Sequence, residues 1–150
     1  MTEENVYSDF DYGQRMPLYG KLAEFSESEK DLLLKSDTFC MLPWVHLHAY
    51  PDGKAYPCCL AHYNHPVGNL KENTIQEVWA DKPMQTMRDN MLANRPCAEC
   101  SKCYEQEQSG FFSMRNSSNQ TFGHHITDAL SQEELKIRYY DIRFSNLCNF

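Results

Sequence analysis

The run CAECSKC places Cys97, Cys100 and Cys103 at C-x-x-C-x-x-C spacing, and no other feature limits the fold of this chain so strongly. A two-residue gap lets both thiolates of a pair reach one metal site from a single tight turn. Backbone N–H groups of such a turn also point at sulfur and stabilise its charge. Two pairs overlap in this run, so one cysteine is spare, and the spacing leaves open which. Cys40, Cys58, Cys59 and Cys148 bring the total to seven. An odd count argues against a disulfide framework. The acidic start MTEENVYSDFDYG lacks the charged-then-apolar pattern of a signal peptide. A cytoplasmic, reducing setting is therefore expected, where metal ligation explains the thiols better than pairing.

A length of 150 residues suits one ordinary domain, or one small domain and a piece of another. The net charge is −7 and no basic stripe is present, which argues against nucleic acid as a partner. No apolar run approaches the ~20 residues of a membrane-spanning helix.

Residues 1–25 show no period and read as an extended arm. Ser26 and Glu29 fit a capping box, which predicts a short helix near 27–35. Val45, Leu47 and Ala49 alternate with His46, His48 and Tyr50, the period of a strand. Pro51-Asp52-Gly53 is a turn signal, and Lys54 to Pro57 returns as a second strand, so a β-hairpin is expected. AHYNHPVGNL reads as a loop. Thr74 and Glu77 form a second capping-box pattern, and Asp81 starts another helix with Pro83 in its first turn. Met84, Met87, Met91 and Leu92 fall on one face of that helix, which should end near Asn94. Past the cysteine run the chain is polar and linker-like, with one short helix expected in FGHHITDALSQEELK. Ile137 to Phe144 reads as a buried strand leading into Ser145-Asn146-Leu147-Cys148.

A metal site with four thiolates needs two more ligands beside a C-x-x-C pair. Cys58 ends the hairpin and Cys40 precedes it. With the turn centred near Asp52, Cys58 lies across from about His46, and Cys40 must curl back over Met41-Leu42-Pro43 to reach it. Cys59 should face away from Cys58 as a small buried residue. His46 and His48 share one strand face, more simply a packed or solvated face than a metal site. His62, His65, His124 and His125 are weaker candidates still. The methionine stripe, Trp44 and Trp79 read as core.

These residues in order resemble the SPASM/twitch domain, the auxiliary iron–sulfur module of radical S-adenosylmethionine (radical SAM) enzymes. The anchors are Cys40, Gly53-x4-Cys58, Gly68-Asn69-Leu70, Ile75, Glu77, Val78, Trp79, Arg88 and the C-x-x-C run. Glu107, Gly110, Ser113 and Arg115 follow. The resemblance implies a hairpin followed by short helices around a [4Fe–4S] cluster, held by Cys40, Cys58, Cys100 and Cys103, with Cys97 the alternative partner of Cys100. No continuation for a second auxiliary cluster is found, so the shorter twitch form fits better. "RFSNLCNF" resembles the end of the first strand of a radical SAM barrel, where a C-x3-C-x2-C loop holds the catalytic cluster. Cys148 matches its first cysteine, and the others would fall beyond Phe150. The chain is accordingly expected to be the front of a longer reading frame, with the auxiliary module ahead of the barrel.

The resulting expectation is an α+β module with residues 1–36 as arm and short helix, 37–115 as the iron–sulfur module, 116–136 as linker and 137–150 as the start of a radical SAM (β/α) barrel. The lone C-terminal strand lacks its barrel partners here and is expected either to be poorly ordered or to pair opportunistically. The resemblance implies S-adenosylmethionine and a second [4Fe–4S] cluster in the full-length protein, a flavodoxin- or ferredoxin-type electron donor, the barrel in cis and a possible peptide substrate. It also implies no catalysis by these residues alone. The competing reading is a recognition module without redox catalysis, built on structural zinc, which four thiolates also bind, or on an iron–sulfur cluster.

Overall fold

The computed structural model describes residues 21–143. Ser26 caps α1 (Glu27–Leu34) in a full capping box with Glu29, the pattern seen in the sequence. A single helical turn, α2 (Leu42–Val45), then leads directly into β1 (His46–Ala49). Pro43 sits in its first turn, where a missing N–H is harmless. The expected strand thus starts one residue later than its alternation suggests, because Val45 closes the helical turn.

β1 pairs antiparallel with β2 (Lys54–Tyr56), His48 opposite Tyr56 and Ala49 opposite Ala55. The predicted hairpin is present. Gly53 closes its turn at φ +92°, a backbone conformation that favours glycine. The stretch read as loop contributes a two-residue strand, β3 (Gly68–Asn69), antiparallel to β2. β4 (Tyr139–Ile142) runs parallel to β1, with His46 opposite Tyr139 and Ala49 opposite Ile142. The C-terminal strand is therefore not without partners. It completes a four-stranded sheet of order β3-β2-β1-β4.

The helices cover this sheet. Thr74 caps α3 (Ile75–Ala80) through a capping box with Glu77, and α4 (Lys82–Leu92) follows from Asp81. Met84, Met87 and Met91 of α4 are fully buried, whereas Leu92 is largely exposed and ends the stripe. They join Phe39, Met41, Leu42, Trp44, Val45, Trp79 and Ile126 in one core. Trp44 and Trp79 are core residues as expected.

The region beyond the cysteine run departs from its sequence reading. It holds α5 (Ser101–Gln108), α6 (Met114–Phe122) and α7 (Ile126–Ser131). The linker expected over 116–136 is thus mostly helix, and Ile126 is fully buried. The reason is physical: the buried residues of α6 are Arg115, Ser118, Asn119 and Gln120, so its inward face carries no apolar period. Its capping box uses Asn116 in place of the usual Glu or Gln. The fold is α+β, a small mixed sheet with helices around it. Among the described residues no helix is long and apolar enough to cross a membrane.

Candidate metal centre

β2 ends at Tyr56 opposite His48, Cys58 follows in the bend beyond it, and the α2 turn stands just ahead of β1. That turn folds the chain back, so Cys40, just ahead of it, comes round to Cys58. Cys100 is the N-cap of α5 and Cys103 lies in its first turn. The N–H of His62 donates to the Glu99 carbonyl at 3.0 Å and ties the segment after Cys58 to the turn that carries Cys100. These constraints bring Cys40, Cys58, Cys100 and Cys103 to the lining of one pocket. Leu42, Leu60 and Met114 supply apolar walls, and Arg115 stands at its border.

Three elements that are distant in sequence therefore deliver four thiols to one place. Among the described residues no three side chains of His, Cys, Asp or Glu stand close enough to hold a single ion. The four thiols border a shared space instead. Burial pushes the Cys58 thiol up to about 12 and the Cys40 thiol further. A metal held here must displace their protons, because the thiolate is the ligand form. The first N–H groups of α5 lack acceptors within the helix, so its start favours negative charge beside Cys100 and Cys103.

The two remaining described cysteines do not line the pocket. Cys97 is buried, its sulfur 3.7 Å from the Met87 carbonyl, and its N–H donates to the Tyr104 hydroxyl at 3.3 Å. A hydrogen bond with Cys100 lowers its thiol pKa, and the same contact raises that of Cys100. β2 ends at Tyr56, so the alternation expected to turn Cys59 from Cys58 does not reach them; Cys59 is half-buried and outside the pocket lining. Burial and then the Asp141 carboxylate of β4 raise its thiol. Cys148 lies outside the described residues.

The Arg115 guanidinium is buried and held on two sides. Its Nε donates to Glu107 Oε1 at 2.9 Å and its Nη2 to Glu107 Oε2. Its Nη1 donates to the carbonyls of Ser36 (2.9 Å) and Phe39 (3.0 Å). Burial opposes its charge, but the Glu107 carboxylate prevails and holds Arg115 protonated.

His46 and His48 form a packed face, and both rings are fully buried. Each Nδ1 faces a backbone carbonyl of β4, His46 to Tyr139 at 2.7 Å and His48 to Asp141 at 3.0 Å. A carbonyl only accepts, so Nδ1 carries the proton, and neither Nε2 finds a protein partner. Burial lowers both pKa values and keeps the rings neutral.

The sequence singled out all four pocket cysteines but not Asn119. That residue bonds to the backbone on both sides of Cys40, at Phe39 and Met41. A buried amide on a helix read as linker leaves no trace in hydrophobic patterning.

The segment after the hairpin and the start of α5 thus line one pocket with thiols. Residues 40–104 match the family model of SPASM, an iron–sulfur cluster-binding domain. No curated protein and no solved structure matches the chain. The match begins at the first pocket cysteine and ends one residue after the last, so all four fall inside it.

Proposed function

We propose that residues 40–104 hold a [4Fe–4S] cluster through Cys40, Cys58, Cys100 and Cys103, as the auxiliary centre of a radical SAM protein. The observation that carries this reading is the lining of one pocket by those four thiols, while Cys59 and Cys97 stay outside it. The donor set fits the group: four soft sulfur ligands, apolar walls, a helix start and a buried cation at the border. When bound, such a cluster supplies one-electron transfer or a site for a substrate ligand. The protein's own part is to orient the thiols, keep water from them and set the charge around them. The agreement with the SPASM family model supports the cluster-binding part of the reading. The radical SAM setting rests on the resemblance of the segment around Cys148. In that setting Cys148 begins the loop of the catalytic cluster, S-adenosylmethionine binds beyond it, and the barrel, a flavodoxin- or ferredoxin-type donor and a peptide substrate are the partners.

The test is a set of single cysteine-to-serine variants, reconstituted without oxygen and read by visible absorption and sulfide content. Cys40→Ser, Cys58→Ser, Cys100→Ser and Cys103→Ser are expected to lose most of the cluster, and Cys59→Ser and Cys97→Ser to keep it. Equal loss in Cys58→Ser and Cys59→Ser would overturn the assignment of faces. Loss in Cys97→Ser with retention in Cys103→Ser would move the pair to Cys97 and Cys100.

A further inference from the structure

Cys40 belongs to no helix or strand, so regular secondary structure does not fix its thiol. What fixes it is α6. The Asn119 side chain spans the residue: its Nδ2 donates to the carbonyl of Phe39 at 3.0 Å and its Oδ1 accepts the N–H of Met41 at 2.9 Å. One amide thus satisfies a backbone acceptor before Cys40 and a backbone donor after it, as a neighbouring strand would. One helical turn earlier, Arg115 donates to the same Phe39 carbonyl and to that of Ser36. Its other edge grips Glu107 on α5, the helix that carries Cys103. Arg115 and Asn119 are both largely buried and stand four apart on one face of α6.

We propose that Arg115 and Asn119 are the positioning residues of Cys40, a clamp on α6 that fixes the distance between Cys40 and the α5 cysteines. This rests on the cluster reading given above and goes beyond it, because it gives these two side chains a task in holding the backbone of Cys40. Arg115 also lines the pocket beside the four thiols, but the task assigned to both side chains is backbone positioning. They act on the backbone that carries Cys40, and the Arg115–Glu107 pair links that backbone to the opposite wall of the pocket. The functional module accordingly extends through α6. The buried polar face of that helix has a purpose that an apolar one would not serve: apolar side chains cannot hold a single extended residue in register by its own N–H and C=O neighbours.

The experiment compares the reconstituted 150-residue chain with Asn119→Ala, Arg115→Lys and a control on the same helix, Ser118→Ala. Three quantities are read for each: the rate of iron loss to a chelator, the EPR spectrum of the reduced cluster and the melting temperature. Asn119→Ala and Arg115→Lys are expected to lose iron about ten- to a hundredfold faster, the usual range for groups that hold metal ligands in place. Their EPR spectra should shift, and Ser118→Ala should match the parent. Arg115→Lys keeps the charge but not the forked geometry, so it answers the question if Asn119→Ala fails to fold. The inference is overturned if both variants match the parent in iron loss and spectrum. It is equally overturned if iron loss only follows melting temperature across all three variants, or if both clamp variants fail to fold. A parent chain that takes up no iron and sulfide refutes the cluster reading itself, and the clamp with it.

Discussion

The indole N–H of Trp79 donates to the carbonyl of Pro43 at 3.0 Å, across 36 residues of chain. This bond fastens α3 to the α2 turn, the bend that brings Cys40 round to Cys58. Arg88 reinforces it, with Nη1 on the same carbonyl, Nη2 on the Trp79 carbonyl and the guanidinium over the indole at 4.1 Å. Trp79→Phe keeps most of the packing and removes the donor. Thermal or denaturant unfolding is expected to show a loss of about 1 kcal/mol from that bond. Trp79→Ala also opens a cavity, and about 3–5 kcal/mol should go with it.

Gly68 pairs β3 with β2 while α3 presses on it from the side. A Cβ at this position would meet both γ-carbons of Val78 at 2.8 Å. Val78 is buried in the core and has little room to retreat. Gly68→Ala is therefore expected to destabilise the protein by about 1–3 kcal/mol, the usual cost of overpacking. Gly68→Ala combined with Val78→Ala should recover part of the loss in the same unfolding assay.

Two neutral imidazoles buried between β1 and β4 make stability depend on pH. The pKa values of His46 and His48 lie below the ordinary 6.5 in the folded state, chiefly through burial. The unfolded chain then binds more protons as pH falls through 6.5, so it gains at the expense of the fold. The contribution of these two rings should be flat above about pH 7 and decline as the pH drops below the ordinary histidine range. His124 and His125 shift the same way, so His48→Asn should reduce the slope without abolishing it. Melting temperatures of the metal-free protein between pH 8 and pH 5 check the sign.

The 150-residue chain alone is expected to leave S-adenosylmethionine intact. In the proposed radical SAM setting Cys148 supplies one of the three cysteines of a C-x3-C-x2-C loop, and these residues hold no second. Assay for 5′-deoxyadenosine under reducing, anaerobic conditions checks this, and its formation would contradict the role proposed for these residues.

Much of the site was legible because its cues are local. The Pro51-Asp52-Gly53 turn sets the hairpin and its register. The Thr74–Glu77 and Ser26–Glu29 boxes mark helix starts through side-chain chemistry that sequence shows directly. What stayed hidden depends on long-range pairing. β4 finds β1 across some ninety residues, through carbonyls that bond His46 and His48 rather than through any pattern of its own. α6 buries Arg115 and Asn119, so its inward face looks like a solvated one until Cys40 is set beside it. The C-x-x-C-x-x-C run leaves its three thiols equivalent on paper; only the fold turns Cys97 to the Met87 carbonyl and sets Cys100 and Cys103 in the pocket lining.

The central claim is that four thiols from three separate elements hold one iron–sulfur cluster. Iron, zinc and acid-labile sulfide should be assayed together on protein produced and purified without oxygen. The account predicts about four iron and four sulfide per chain, with zinc at trace level. One zinc per chain with no sulfide, in protein never exposed to air, would contradict it and leave a structural zinc module in its place.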